Sequence, residues 1–138
     1  MKNSIRIAAL VLVLAMSVLA LASCGDKFGA IKSAFEGEGY TVETVQYSEM
    51  NNSFKAIVET VLGKTAAENI SKYEIMTCSK LVSFAIVVKF PAEGDIKNAL
   101  TVEGSSALYD SLKDSGAING NCMILTLVPG AIEIFKNA

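Results

Sequence analysis

The chain of 138 residues contains no histidine and no tryptophan, and its one arginine, Arg6, lies in the N-terminal segment. Each absence removes a class of chemistry. Without imidazole there is no ordinary general base, no triad of the Ser-His-Asp kind and no nitrogen ligand for a transition metal. Without a guanidinium in the body of the chain there is no bidentate fork for phosphate or carboxylate. The lysines are spread singly, at Lys32, Lys55, Lys64, Lys72, Lys80, Lys89 and Lys97, so no basic stripe forms to follow a nucleic-acid backbone. Cysteine is equally sparse, with Cys24, Cys78 and Cys122 the whole supply. A zinc site would have to combine Cys78, Cys122 and carboxylates, and the two cysteines stand too far apart in sequence to suggest one. The sequence therefore predicts no metal, no cofactor, no nucleic-acid partner and no catalytic residue. Carboxylate pairs and serine–lysine dyads are the chemistry left over.

What is present starts at the N-terminus. Lys2 and Arg6 precede an uncharged run from Ala8 to Ala22. That run has the length of a signal-peptide core and falls short of the roughly 20 apolar residues a spanning helix needs. It ends on Leu21, Ala22, Ser23 and Cys24, and those four residues resemble the bacterial lipobox position by position. The resemblance implies that residues 1–23 are a signal peptide and that a diacylglycerol goes onto the Cys24 thiol. It also implies that 24–138 form the mature chain. Only cysteine offers a sulfur nucleophilic enough for that thioether. Two or three acyl chains would hold the protein on the membrane, where one alone binds marginally. The implied address is extracytoplasmic and membrane-anchored. Gly25 lacks the aspartate that retains some lipoproteins at an inner membrane.

Without residues 1–23, ten lysines face fourteen carboxylates, a net charge near −4, on a chain long enough for one domain with a real core. Phe28, Ile31, Ala34 and Phe35 recur at helical spacing between Lys27 and Glu38, and the glycines of EGEGY close that helix. Residues 41–47, TVETVQY, read as a half-polar strand at a sheet edge. Phe54, Ile57, Val58, Val61 and Leu62 form one apolar helical stripe, with Asn52 or Ser53 as its cap and Gly63 at its end. GKTAAENISK is left as a short helical turn or a loop. KYEIMTC and LVSFAIVVKF read as two antiparallel strands on a tight connection, the second central and stopped by Pro91. Residues 93–115 return to helix with a break at Gly104, and Gly116 is placed as its cap. AINGN is turn chemistry. CMILTLV is a buried strand, and Pro129 opens a closing helix carrying Ile132 and Phe135.

The inner six elements run βαββαβ. They predict an α+β domain with a ferredoxin-like, four-stranded antiparallel sheet covered by helices mainly on one face, and further helices at both termini. This layout behind a lipobox is similar to small single-domain lipoproteins of Gram-positive gut bacteria.

With one face covered, Ser83, Ala85, Val87 and Lys89 would lie on the other, beside Ile124, Thr126 and Val128. That face is too apolar for solvent, and it predicts contact with a second copy or an envelope protein. An extracytoplasmic address also permits a Cys78–Cys122 disulfide; the alternative is two buried thiols packed as small apolar residues. Glu36 and Glu38 read as solvated helix-end charges, and Glu93 and Asp95 as acids favoured at a helix start. Ser79 and Lys80 would point to opposite faces of a strand, poor geometry for a dyad. Tyr40, Tyr47, Tyr73 and Tyr109 read as core-edge rings with wet hydroxyls. The expected role is a non-catalytic interaction or ligand-binding module on the membrane. The alternative is a small envelope hydrolase or thiol enzyme using carboxylates or Cys78 and Cys122.

Overall fold

The computed structural model describes residues 27–138, so the lipobox and signal-peptide expectations on residues 1–26 lie outside the described residues. The elements are α1 (Lys27–Gly37), β1 (Thr41–Val45), a 3-10 turn (Tyr47–Glu49), α2 (Asn52–Leu62), α3 (Lys64–Ile70), β2 (Glu74–Lys80) and β3 (Ser83–Lys89). They continue with α4 (Glu93–Leu100), α5 (Ala107–Asp114), β4 (Ile118–Asn119), β5 (Cys122–Thr126) and α6 (Pro129–Lys136). The class is α+β, with a five-stranded antiparallel sheet and six helices among the described residues.

Local chemistry accounts for the boundaries. The carboxamide of Asn51 accepts from the Ser53 and Phe54 amides at 2.7 and 3.4 Å, so the cap of α2 is Asn51, one residue earlier than expected. From there the side-chain oxygen spans two amides of the first turn that have no helical partner. Gly63, at φ 81°, ends α2 and lets α3 start at once. The break near Gly104 is complete: Glu103 and Gly104 both have positive φ, and Val102 and Ser105 pair across them, so α4 and α5 are separate helices. A hairpin joins the short β4 to β5, with Asn119 paired to Cys122 and Gly120–Asn121 as the two-residue turn. Pro129 stands in the first turn of α6, where its missing N–H leaves no helical bond unmade.

The sheet order is β1-β2-β3-β5-β4, with every neighbouring pair antiparallel. This differs from the expected ferredoxin-like sheet, in which a strand separates two parallel partners. Here the first excursion, α2–α3, leaves β1 and returns antiparallel beside it as β2. The second, α4–α5, leads from β3 to the short edge strand β4, which runs parallel to β3 with β5 between them. The first departs from the expected order because its two helices carry the chain back to the end of β1 that it left.

The second difference concerns the helices' side. Four of them, α2 to α5, cover one sheet face through Val58, Leu62, Ala66, Ala67, Ile70, Ile96, Ala99, Leu100 and Tyr109. These pack on Ile75, Ile86, Val88, Met123 and Leu125. The terminal helices α1 and α6 cover the other face. Phe28, Ile31, Phe35, Ala131 and Phe135 pack there on Met76, Cys78, Ala85, Val87, Cys122 and Ile124. The result is three layers with two cores. Ala85, Ile86, Val87 and Val88 are all buried because β3 is covered on both sides, and an unbroken apolar run is what such a strand requires.

Candidate functional site

The face predicted to meet a partner is thereby occupied. Ala85, Val87 and Ile124 are buried beneath α1 and α6, and Ser83, Lys89, Thr126 and Val128 are half-buried at its margins. Those seven residues form no open interaction surface. The signal for this lay in the terminal helices. Phe28, Ile31 and Phe35 need a surface to bury against, and this is the sheet face that α2–α5 leave open.

Cys78 and Cys122 both lie in the core under α1 and α6, and neither takes part in a disulfide. Register explains it. Cys78 pairs with Ala85, while Cys122 pairs with Lys89, four residues along β3 and on its other side. Strand rise and spacing put the two on the order of 16 Å apart, against the roughly 7 Å that a disulfide can bridge. Burial, with Glu36 as the smaller cause, pushes the Cys78 thiol from an ordinary 9.0 up to about 12. A thiol that stays protonated and enclosed is no nucleophile at neutral pH.

The remaining chemical candidates are dispersed. The Lys80 ammonium donates to the Glu38 carbonyl at 2.7 Å and lies 5.8 Å from the Tyr40 ring, so it is engaged in holding the α1–β1 corner. Among the described residues no group of three or more carboxylates and cysteines comes together to hold a metal ion. Tyr40 packs edge-on against Phe35, Tyr73 tilts onto Phe90, and Tyr109 is buried. The Tyr47 hydroxyl is held above its ordinary pKa, first by burial and then by Glu59 and Glu68. An open groove of about 630 Å³ runs past Val45, Gln46, Glu49, Lys72, Tyr73 and Glu74. It is a wide surface depression lined mostly by polar side chains, without the enclosed apolar walls that hold a small ligand.

One place does concentrate unusual features. Leu81 and Val82 form the two-residue turn between β2 and β3, and they are 93% and 86% exposed. Phe84 on β3 is 40% exposed, and Leu127, just past the end of β5, is 70% exposed. These four are the large apolar side chains left exposed among the described residues, and they cluster at one end of the sheet. The end is firmly built. Thr126 Oγ1 donates to the Phe84 carbonyl at 2.6 Å and accepts from the Val128 amide at 3.0 Å, extending the β3–β5 pairing past its last ladder bond. Phe54 of α2 braces Phe84 edge-on at 5.7 Å. Leu81 has φ 53°, in the left-handed region that glycine or asparagine occupies without penalty. A leucine there costs about 1–2 kcal/mol. The two-residue hairpin turn demands positive φ at its first position, and the seven pairs of the β2–β3 ladder hold the leucine there.

The position of this pole relative to the N-terminus follows from contacts. Lys27 lies against Gly120, and Lys89 Nζ is 5.8 Å from the Phe28 ring, so α1 starts at the sheet end marked by Glu74, Lys89 and the β4–β5 turn. α1 finishes at the other end, where Glu38 receives Lys80. The apolar turn therefore lies a full strand length, roughly 23 Å, from the start of α1. Exposed polar and charged residues gave no signal for this pole. LVSF and TLVPG carried one, as uncharged stretches around a turn, but in sequence both read as buried strand. No protein-family model, curated protein or solved structure matches the chain.

Proposed function

We propose that the protein is a membrane-anchored extracytoplasmic lipoprotein whose domain is a non-catalytic interaction module, and that its contact surface is the Leu81–Val82 pole. The observation that carries the reading is the gathering of Leu81, Val82, Phe84 and Leu127 on one pole. Together they expose roughly 500 Å², the size of the largest apolar patch on an ordinary monomer, which is often a functional one. The enclosed Cys78 and Cys122 count against the thiol-enzyme alternative.

The anchor belongs to the same reading. If an acyl group sits on Cys24, two residues, Gly25 and Asp26, separate it from Lys27, and the three Cα–Cα steps reach about 10 Å when extended. The domain then stands close to the bilayer with the apolar pole on the far side, facing the compartment. The test is mass spectrometry of the N-terminal peptide from native membranes, with Cys24→Ala as comparison. The expected result is a peptide that begins at an acylated Cys24 in the wild type and a variant lost from the membrane fraction. An unmodified Cys24 within an uncleaved chain overturns the anchor.

A further inference from the structure

We infer that Asn119 is a self-modification site guarded by the terminal helices: the Asn119–Gly120 pair stays intact while α6 is docked and converts to aspartate or isoaspartate when α6 opens. This is independent of the apolar pole.

The chemistry belongs to one dipeptide. Asn119–Gly120 is the sole asparagine–glycine pair in the chain. The Gly120 backbone nitrogen attacks the side-chain carbonyl carbon of Asn119. The new N–Cγ bond closes a succinimide ring, the Cγ–Nδ2 bond breaks, and ammonia leaves with the proton the Gly120 nitrogen has lost. Water then opens the ring at either carbonyl, giving aspartate or isoaspartate. Asparagine is among the thermolabile residues, and a following glycine has no Cβ to crowd the attacking nitrogen. The fold nevertheless requires that glycine. Its φ is 60°, and a Cβ there would meet Lys27 Cγ of α1 at 2.9 Å.

Both terminal helices close on this pair. Lys27 lies against Gly120, and Asn119 Nδ2 donates to the Phe135 carbonyl in the last turn of α6 at 2.9 Å. Asn119 is half-buried and paired with Cys122 in the β4–β5 ladder. Ring closure needs the side chain and the Gly120 nitrogen to move together, and the bond to α6 and the ladder both resist that movement. Helices at chain ends open locally at lower free energy than a central sheet, and opening of α6 releases the side chain.

The product does not restore the original contact. A carboxamide supplies two N–H donors and an ionised carboxylate supplies none, so acceptor then faces acceptor at the Phe135 carbonyl. Isoaspartate also adds a methylene to the β4 backbone, out of register with Cys122. Each conversion therefore weakens α6 permanently over the sheet face that it covers with Ala131 and Phe135.

The experiment follows the peptide containing residue 119 by mass spectrometry while the full chain stands in mildly alkaline buffer. Folded wild type is compared with wild type in urea and with Phe135→Leu, which loosens α6. Ile134→Ala, at a half-buried position, takes its place if Phe135→Leu does not fold. Conversion is expected to be at least about tenfold slower in the folded wild type than in urea. Hydrogen exchange of the α6 amides is measured in parallel, and a variant that speeds exchange should speed conversion by a similar factor. Equal rates in the folded and unfolded wild type overturn the protection. Faster α6 exchange at an unchanged conversion rate overturns α6 as the guard. Asn119→Asp stands in for the product and should speed α6 exchange; exchange at the wild-type rate overturns the permanent weakening.

Discussion

Replacing Phe35 by alanine tests the feature that most changes the reading of this chain, the closing of the second sheet face by α1. Phe35 is fully buried, and its ring meets Tyr40 edge-on at 5.0 Å and 87°. Its neighbours in that core come from the sheet and from α6, so little can move in to fill the space. Truncation of an enclosed phenylalanine costs about 3–5 kcal/mol, against the roughly 5–15 kcal/mol that holds a domain together. For a chain of this size the urea slope is about 1.5 kcal/mol per molar. The unfolding midpoint should therefore fall by about 2–3 M. Leu127→Ala is the comparison, since an exposed side chain of similar bulk should shift stability by no more than about 0.5 kcal/mol. Both midpoints come from urea titrations followed by far-ultraviolet circular dichroism. A Phe35→Ala loss below about 1 kcal/mol would refute the packing of α1 on β2 and β3 and reopen that face as a partner surface.

Other expectations follow from the same geometry. Leu81→Asn keeps the turn but puts a residue tolerant of positive φ at φ 53°. It should stabilise the monomer by about 0.5–1 kcal/mol, seen as a melting temperature higher by about 2–5 °C, and a lower one would show that the leucine packs inside the chain. Cys78 makes stability fall at alkaline pH. Its folded pKa of about 12 exceeds the ordinary 9.0, so the unfolded chain sheds a proton that the folded chain keeps. That contribution is whole below pH 9 and is lost as pH climbs toward 12. Urea midpoints at pH 8 and pH 10.5 should therefore diverge more in the wild type than in Cys78→Ala, and parallel losses would mean the thiol is open to water.

Much of the architecture was legible because it is local. The apolar stripe of α2, the breaks at Gly63 and Gly104, the Pro129 start of α6 and the run of β3 all follow from periodicity and backbone chemistry. The edge position of β1 followed from its half-polar composition and is observed. Strand order was not legible, because it depends on where each helical pair returns the chain, and that is a property of packing between distant segments. The thiol question also had to wait, since Cys78 and Cys122 share a core and are kept apart by register alone.

The sequence by itself determined the class, most element boundaries and the absence of imidazole and guanidinium chemistry, since composition and short-range periodicity are complete in one dimension. The tertiary structure decided which apolar residues are inside. Ala85, Val87 and Ile124 looked available and are sealed by α1 and α6, whereas Leu81, Val82, Phe84 and Leu127 looked buried and face water. An apolar side chain has the same character in either place. What separates the two groups is whether another element reaches far enough to cover them, and the helices stop short of the β2–β3 turn.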